Sequence, residues 1–148
     1  MKLGIPRFGI YSNLLRSLLE GVGIEVIMPT RITREMIKLG ASNSSDMMCF
    51  PYKVTLGQEI WCLEQGATDL LMFNSCGLCR MKHYYQIQEQ TLRNLGYQFR
   101  MNVITKDNFK KEIKRLFGLS FLKARSLFRE LFPRIAVLEA EAYGFSLN

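Results

Sequence analysis

The chain has 148 residues, 48% of them hydrophobic and 22% charged, and a formal net charge of +7. That is the size of one domain able to bury a core without disulfides, and a balance that excludes disordered and fibrous classes. No apolar run approaches the roughly 18 to 20 residues of a membrane helix. Residues 1–15 show neither the apolar core nor the small-residue cleavage site of a signal peptide, so a cytoplasmic address is expected.

Residues 2–6 form a short run closed by Pro6 and read as a first strand. A helix is expected from Phe8 to Val22, where Ile10, Leu14, Leu15, Leu18, Leu19 and Val22 recur at helical spacing, with Gly21 and Gly23 as the stop. Residues 24–28 are rich in branched side chains and end at Pro29, the pattern of a buried parallel strand, so a β-α-β unit is predicted. Thr33 is placed to cap a short helix through Leu39, followed by a polar loop over residues 40–48. Pro51 stands at a first helical position, and residues 52–65 carry a helical pattern that stops at Gly66. Cys49 is thereby delivered to a helix N-terminus.

Asp69–Phe73 is expected as the third strand and residues 74–79 as the turn that leaves it. A helix over residues 81–95, ended by Gly96, and a fourth strand over residues 97–104 follow. From Asp107 onward the pattern is helical, broken around Gly118 and Pro133, with Asp107 and Ser120 as caps. The architecture this predicts is α/β: over residues 1–105, a doubly wound, mostly parallel four-stranded sheet with helices on both faces. Residues 106–148 form a helical C-terminal third that packs on this unit or links from it. In such sheets ligands sit outside the carboxyl ends of the strands, which is where Cys76 and Cys79 fall.

Much of the positive charge is late, at Lys106, Lys110, Lys111, Lys114, Arg115, Lys123, Arg125, Arg129 and Arg134, spaced as the polar sides of helices. Without an aromatic-interleaved basic motif it reads as a solvated face or a docking surface for an acidic partner, not as a specific nucleic-acid site. A basic patch also suits an anionic cofactor such as a nucleotide or coenzyme A.

Four cysteines in a reducing compartment do not read as a disulfide framework, which leaves metal or redox chemistry. The two-residue spacing of Cys76 and Cys79 lets both sulfurs face one metal, and Gly77 eases the turn between them. The same spacing fits a thioredoxin-like pair, a structural zinc site, or two ordinary thiols in a tight turn. Helix starts favour a metal: Cys49, Cys76 and Cys79 all precede predicted helices, whose free N–H groups and partial positive charge stabilise thiolates. Arg80, Lys82 and His83 add positive charge beside the pair. If the strand Asp69–Phe73 lies beside that of residues 24–28, the Cys49 loop reaches the same edge and three thiolates converge. Cys62 is separated from Cys49 by roughly 15 to 18 Å of helix and reads as a small buried hydrophobe. His83 reads as a surface helical histidine, and the eight methionines with Phe50 and Trp61 as core filling.

The segments MKLGIPR, YSNLLRSLLEGVGIEVIMP, DMMCFPYKVTLG, GATDLLMFN and SCGLCRMKHYYQIQEQTLRNLGY occur in that order. Together they resemble the N-terminal conserved part of the activase-related proteins linked to 2-hydroxyacyl-CoA dehydratases, also described as CoA-substrate-specific enzyme activases or double-cubane-like. The resemblance runs over about residues 1 to 104 and is most specific in residues 49–53 and 76–80. It implies a 4Fe–4S cluster held by Cys49, Cys76 and Cys79, in an oxygen-sensitive protein of anaerobic metabolism that receives low-potential electrons from an ATP-driven activase.

Three expected parts do not occur within these 148 residues: a second α/β domain that helps enclose the cluster, an ATPase domain, and a glycine-rich phosphate loop. An accessory or electron-transfer component is therefore expected rather than a complete enzyme. A partner subunit, a second-domain protein or a second copy of the chain would complete it. The competing expectation is a non-enzymatic interaction or scaffold domain whose thiols bind zinc or no metal and whose basic C-terminal helices dock a partner. A thiol–disulfide oxidoreductase ranks third, because neither an aromatic residue nor proline adjoins the Cys76–Cys79 pair.

Overall fold

The computed structural model describes residues 1–9, 12–74 and 79–105 and the separate positions 108, 111, 112, 114, 115, 118, 129, 133 and 137. β1 (Lys2–Gly4) leads through α1 (Ser12–Gly21) to β2 (Glu25–Ile27). α2 (Arg34–Ser42) and α3 (Phe50–Glu64) follow in succession and deliver the chain to β3 (Asp69–Phe73). A single 3₁₀ turn (Arg80–His83) opens α4 (Tyr84–Asn94), which returns to β4 (Arg100–Ile104). All four strands are parallel, in the order β2-β1-β3-β4. This is the α/β sheet that the alternating pattern predicts.

Strand alternation divides the core into two layers. On one face Leu3, Ile5, Val26, Leu71 and Ile104 pack with Leu19 of α1. On the other, Leu70 and Met72 meet Tyr52, Leu56, Ile60 and Leu63 of α3, with Tyr84 and Leu92 of α4. Helices thus cover both faces. Each fully buried leucine or isoleucine contributes about 1.5–3 kcal/mol relative to exposure.

The strand order overturns one expectation: β3 does not lie beside β2, because β1 stands between them and pairs with both. Right-handed crossovers explain this. α1 carries the chain from β1 to β2 over one face, and α2 with α3 carries it back over the other, past β1, to the far side. Gly4 makes room for that passage, since a Cβ there would fall 2.8 Å from Cys62 Cβ on α3.

α2 continues through Ser42, into the stretch expected to be loop. Its extension is held by a close helix contact: a Cβ on Gly40 would sit 1.8 Å from the Lys53 carbonyl, and one on Gly57 would sit 1.8 Å from that of Met36. Only two glycines facing one another allow that approach. Thr33 caps α2 as predicted, accepting the Met36 N–H at 3.3 Å. α1 begins at Ser12 rather than near residue 8, because the Ser12 hydroxyl closes the preceding turn: it accepts the Phe8 N–H at 2.7 Å and donates to the Gly9 carbonyl at 2.9 Å.

Past β4, Thr105 and Asn108 form a reciprocal cap, with Asn108 Oδ1 accepting the Thr105 N–H at 2.7 Å and Thr105 Oγ1 accepting the Asn108 N–H at 3.1 Å. Arg115 then donates to Asn102 Oδ1 of β4 at 2.7 Å, tying this segment to the sheet. The expected caps Asp107 and Ser120, and most of the helical third over residues 106–148, lie outside the described residues.

Candidate metal centre

In a parallel sheet every returning helix begins at the carboxyl edge of the strands. α3 therefore presents its N-terminus there. Cys49 holds the N-cap position in an extended conformation, with Pro51 in the first turn behind it. Its carbonyl accepts the N–H groups of Tyr52 at 3.1 Å and Lys53 at 3.3 Å. Its side chain makes no capping bond. The sulfur is hydrogen-bonded instead to the hydroxyl of Tyr84, the first residue of α4.

The same edge receives the chain leaving β3. Cys79 is exposed and extended, and its carbonyl accepts the Lys82 N–H at 3.4 Å as the 3₁₀ turn forms. That turn carries the backbone from Cys79 to Tyr84, whose ring is buried edge-to-face against Tyr52 with centroids 5.2 Å apart. Burial, then the bond to Cys49 and the charges of Cys49 and Cys79, push the Tyr84 phenol up to about 12, so it remains a hydrogen-bond donor at neutral pH. Conversely, the Tyr84 hydroxyl holds the Cys49 thiol below its ordinary range against the opposing effect of burial. The Tyr52 N–H, the Arg80 charge and the N–H of Cys49 itself act in the same direction.

Cys49 and Cys79 thus stand at the same edge of the sheet, although they are thirty residues apart in sequence, and the Tyr84 hydroxyl is bonded to the first of them. Cys76 lies outside the described residues, with Ser75, Gly77 and Leu78. Among the described residues no three His, Cys, Asp or Glu side chains converge. His83 is exposed at the end of the 3₁₀ turn, as its helical spacing predicts.

Beneath this edge α3 is sealed. Cys62 is fully buried, its sulfur 3.4 Å from the Ile27 carbonyl, and burial pushes its thiol up to about 12. It belongs to the core and not to the site, as its distance along the helix implies. At the ends of β1 and β3, Phe8 meets Phe73 edge-to-face at 5.5 Å, and the Arg7 N–H donates to Gln58 Oε1 of α3 at 2.7 Å. Those contacts hold the β1 loop at the switch point of the sheet, where α/β folds place ligands.

The methionines divide. Met28, Met36 and Met72 fill the core, but Met47 is 84% exposed, as is 62% of Phe50, so the expectation that both pack inside is corrected. They flank Cys49 on the rim, ahead of the point where α3 enters the core.

Two residues escaped the sequence reading. Tyr84 carried no motif; its only signal was a tyrosine one short turn after Cys79. Glu59 is fully buried on α3, and among the described residues neither carboxylate oxygen has a hydrogen-bond partner. Burial raises its pKa well above the ordinary carboxylate range. The sequence carried no such signal: Thr55 and Gln58 share the Glu59 side of α3, which reads as a polar face, and only the fold shows all three buried.

Compared with protein-family models, with curated proteins and with solved structures, the chain has no match in any of the three.

Proposed function

We propose that the chain is an iron–sulfur module in which Cys49, Cys76 and Cys79 are the thiolate ligands of a 4Fe–4S-type centre. It serves a cytoplasmic 2-hydroxyacyl-CoA dehydratase-like system as an electron-transfer or activation component. The dehydratase assignment rests on the sequence resemblance alone. The observation that carries the metal reading is the Tyr84 hydroxyl bonded to the Cys49 sulfur at the start of α3, on the edge where the chain leaving β3 brings Cys79. Cys76 precedes Cys79 by three positions in that same segment.

The donor set fits such a group. Thiolates are the usual protein ligands of iron–sulfur centres, and the N–H groups at the start of α3, with Arg80 nearby, offset negative charge. When bound, the centre supplies one-electron redox chemistry at a potential set by its surroundings. The chain's own part is to hold it: α3 fixes Cys49, the 3₁₀ turn fixes Cys79, and Tyr84 donates to the Cys49 sulfur. Three protein thiolates leave one ligand position to be filled from elsewhere, and a partner subunit or second domain is the proposed source.

Anaerobic purification and reconstitution with ferrous iron and sulfide test this. The expected protein is brown and holds roughly four irons and four sulfides per chain. Cys76→Ser should abolish the colour and Cys62→Ser should leave it. A colourless, iron-free chain after reconstitution ends the proposal. Zinc without visible absorption would favour an interaction domain instead, with exposed Met47 and Phe50 as its contact residues.

A further inference from the structure

The geometry points to Tyr84 as a positioning residue that tunes the proposed centre: its hydroxyl donates to the Cys49 sulfur and raises the reduction potential. This rests on the reading that Cys49 is a ligand. A buried phenol must find a hydrogen-bond partner, and protein oxygens are the stronger acceptors. Tyr84 is buried and directs its hydroxyl at a sulfur instead.

The arrangement is braced from both sides. Tyr52 is on α3 three residues after Cys49, and its ring stands at 89° to that of Tyr84 with centroids 5.2 Å apart. On the other side, the 3₁₀ turn from Cys79 delivers Tyr84 as the first residue of α4. Neither ring can turn without disturbing the start of a helix that carries or follows a proposed ligand. The hydroxyl is therefore held on the sulfur by packing, not by chance rotation of an exposed side chain.

A hydrogen bond to a ligating thiolate strengthens as negative charge on the sulfur grows. Reduction adds one electron, supplied in the test by dithionite, and increases that charge. The bond therefore stabilises the reduced state more than the oxidised one, and the potential rises. The phenol keeps its proton throughout, and no covalent bond forms or breaks.

The test compares anaerobically reconstituted wild type, Tyr84→Phe and Tyr97→Phe by iron and sulfide content and by redox titration followed by electron paramagnetic resonance. Tyr97 is the control, because its hydroxyl faces Glu64, at 3.5 Å, and not a cysteine. The expected result is unchanged iron and sulfide in both variants, with a midpoint shifted to more negative potential in Tyr84→Phe only. Full iron with an unmoved or raised midpoint in Tyr84→Phe overturns this inference and leaves the centre standing. A wild-type chain that takes up no iron overturns both. Should Tyr84→Phe fail to fold, replacement of tyrosine by 3-fluorotyrosine in the wild-type chain gives the opposite readout. The more acidic phenol donates more strongly, so an upward shift supports the role and an unmoved midpoint overturns it.

Discussion

Two cysteines on one helix meet opposite fates. Cys49 holds the N-cap position of α3, partly buried, with a phenol on its sulfur and a guanidinium nearby, and its thiol ionises more readily than usual. Cys62 lies inside the same helix against Gly4 and the Ile27 carbonyl, and its thiol is pushed up to about 12. Residue type is identical, so the difference belongs to position: donors and free N–H groups at the start of a helix favour the thiolate, and burial forbids it. The contrast also separates the chain into a reactive rim and a sealed interior, each of which can be attacked by itself.

The broadest attack is alkylation of the metal-free chain. Cys49 should react in the folded state at a pH below the range of an ordinary thiol, whereas Cys62 should wait for unfolding. A rate ratio of about 1,000 or more is expected, since a buried group is limited by the population of open states. Mass spectrometry of peptides labelled at timed intervals measures it. Equal labelling of the two would dissolve the distinction between rim and interior.

The interior can be forced open at the contact between α2 and α3. Gly57→Ala places a methyl group 1.8 Å from the Met36 carbonyl, so the helices must part. A loss of about 3 kcal/mol in urea unfolding is expected, with Cys62 labelling accelerated accordingly. Cys49 should label at nearly its former rate, because its reaction does not wait for the interior to open.

Glu59 tests the interior from the opposite direction, by relieving it. Glu59→Met removes two buried oxygens that have no partner among the described residues and should stabilise the neutral-pH fold by about 1–3 kcal/mol. The sign of its pH dependence follows from linkage. The folded-state pKa lies above the ordinary value of 4.5, so above that pH the folded chain retains a proton that the unfolded chain releases. Wild-type stability therefore falls as pH rises from 4.5 toward the folded value, and the advantage of Glu59→Met widens over that window. Denaturation midpoints at acid, neutral and alkaline pH measure it, and a constant difference between the two chains would refute the burial of a neutral acid.

What the sequence made legible is local. Pro51 and Gly66 bracket α3, so Cys49 could be placed at a helix start without coordinates, and the bounds of β3 were readable from an apolar run between polar neighbours. Cys49 and Cys79 stand at the carboxyl edge even though β3 does not lie beside β2, because any parallel arrangement brings the start of α3 and the end of β3 to that edge. What was illegible depended on distant parts of the chain. Gly40 looked like a loop residue until Gly57 stood against it, and Tyr84 looked like any helical tyrosine until Cys49 arrived beside it. Glu59 belongs with them, since Thr55 and Gln58 beside it read as a polar face until the fold buried all three.

The smallest expected effect separates the contributors to the rim. Tyr84 lowers the Cys49 thiol through a short-range bond, and Arg80 acts on the same sulfur only through its charge. Arg80 is exposed, so its field passes partly through water and ions. Arg80→Met should slow alkylation of metal-free Cys49 at neutral pH by about two-fold in low salt, a difference that fades as ionic strength approaches 1 M, where the screening length is about 3 Å. Tyr84→Phe should slow it further, and by the same factor at every salt concentration, because a direct hydrogen bond is not screened. If the two variants lost reactivity in parallel along the salt series, the rim would be governed by surface charge, and the phenol would be a bystander to the sulfur it touches.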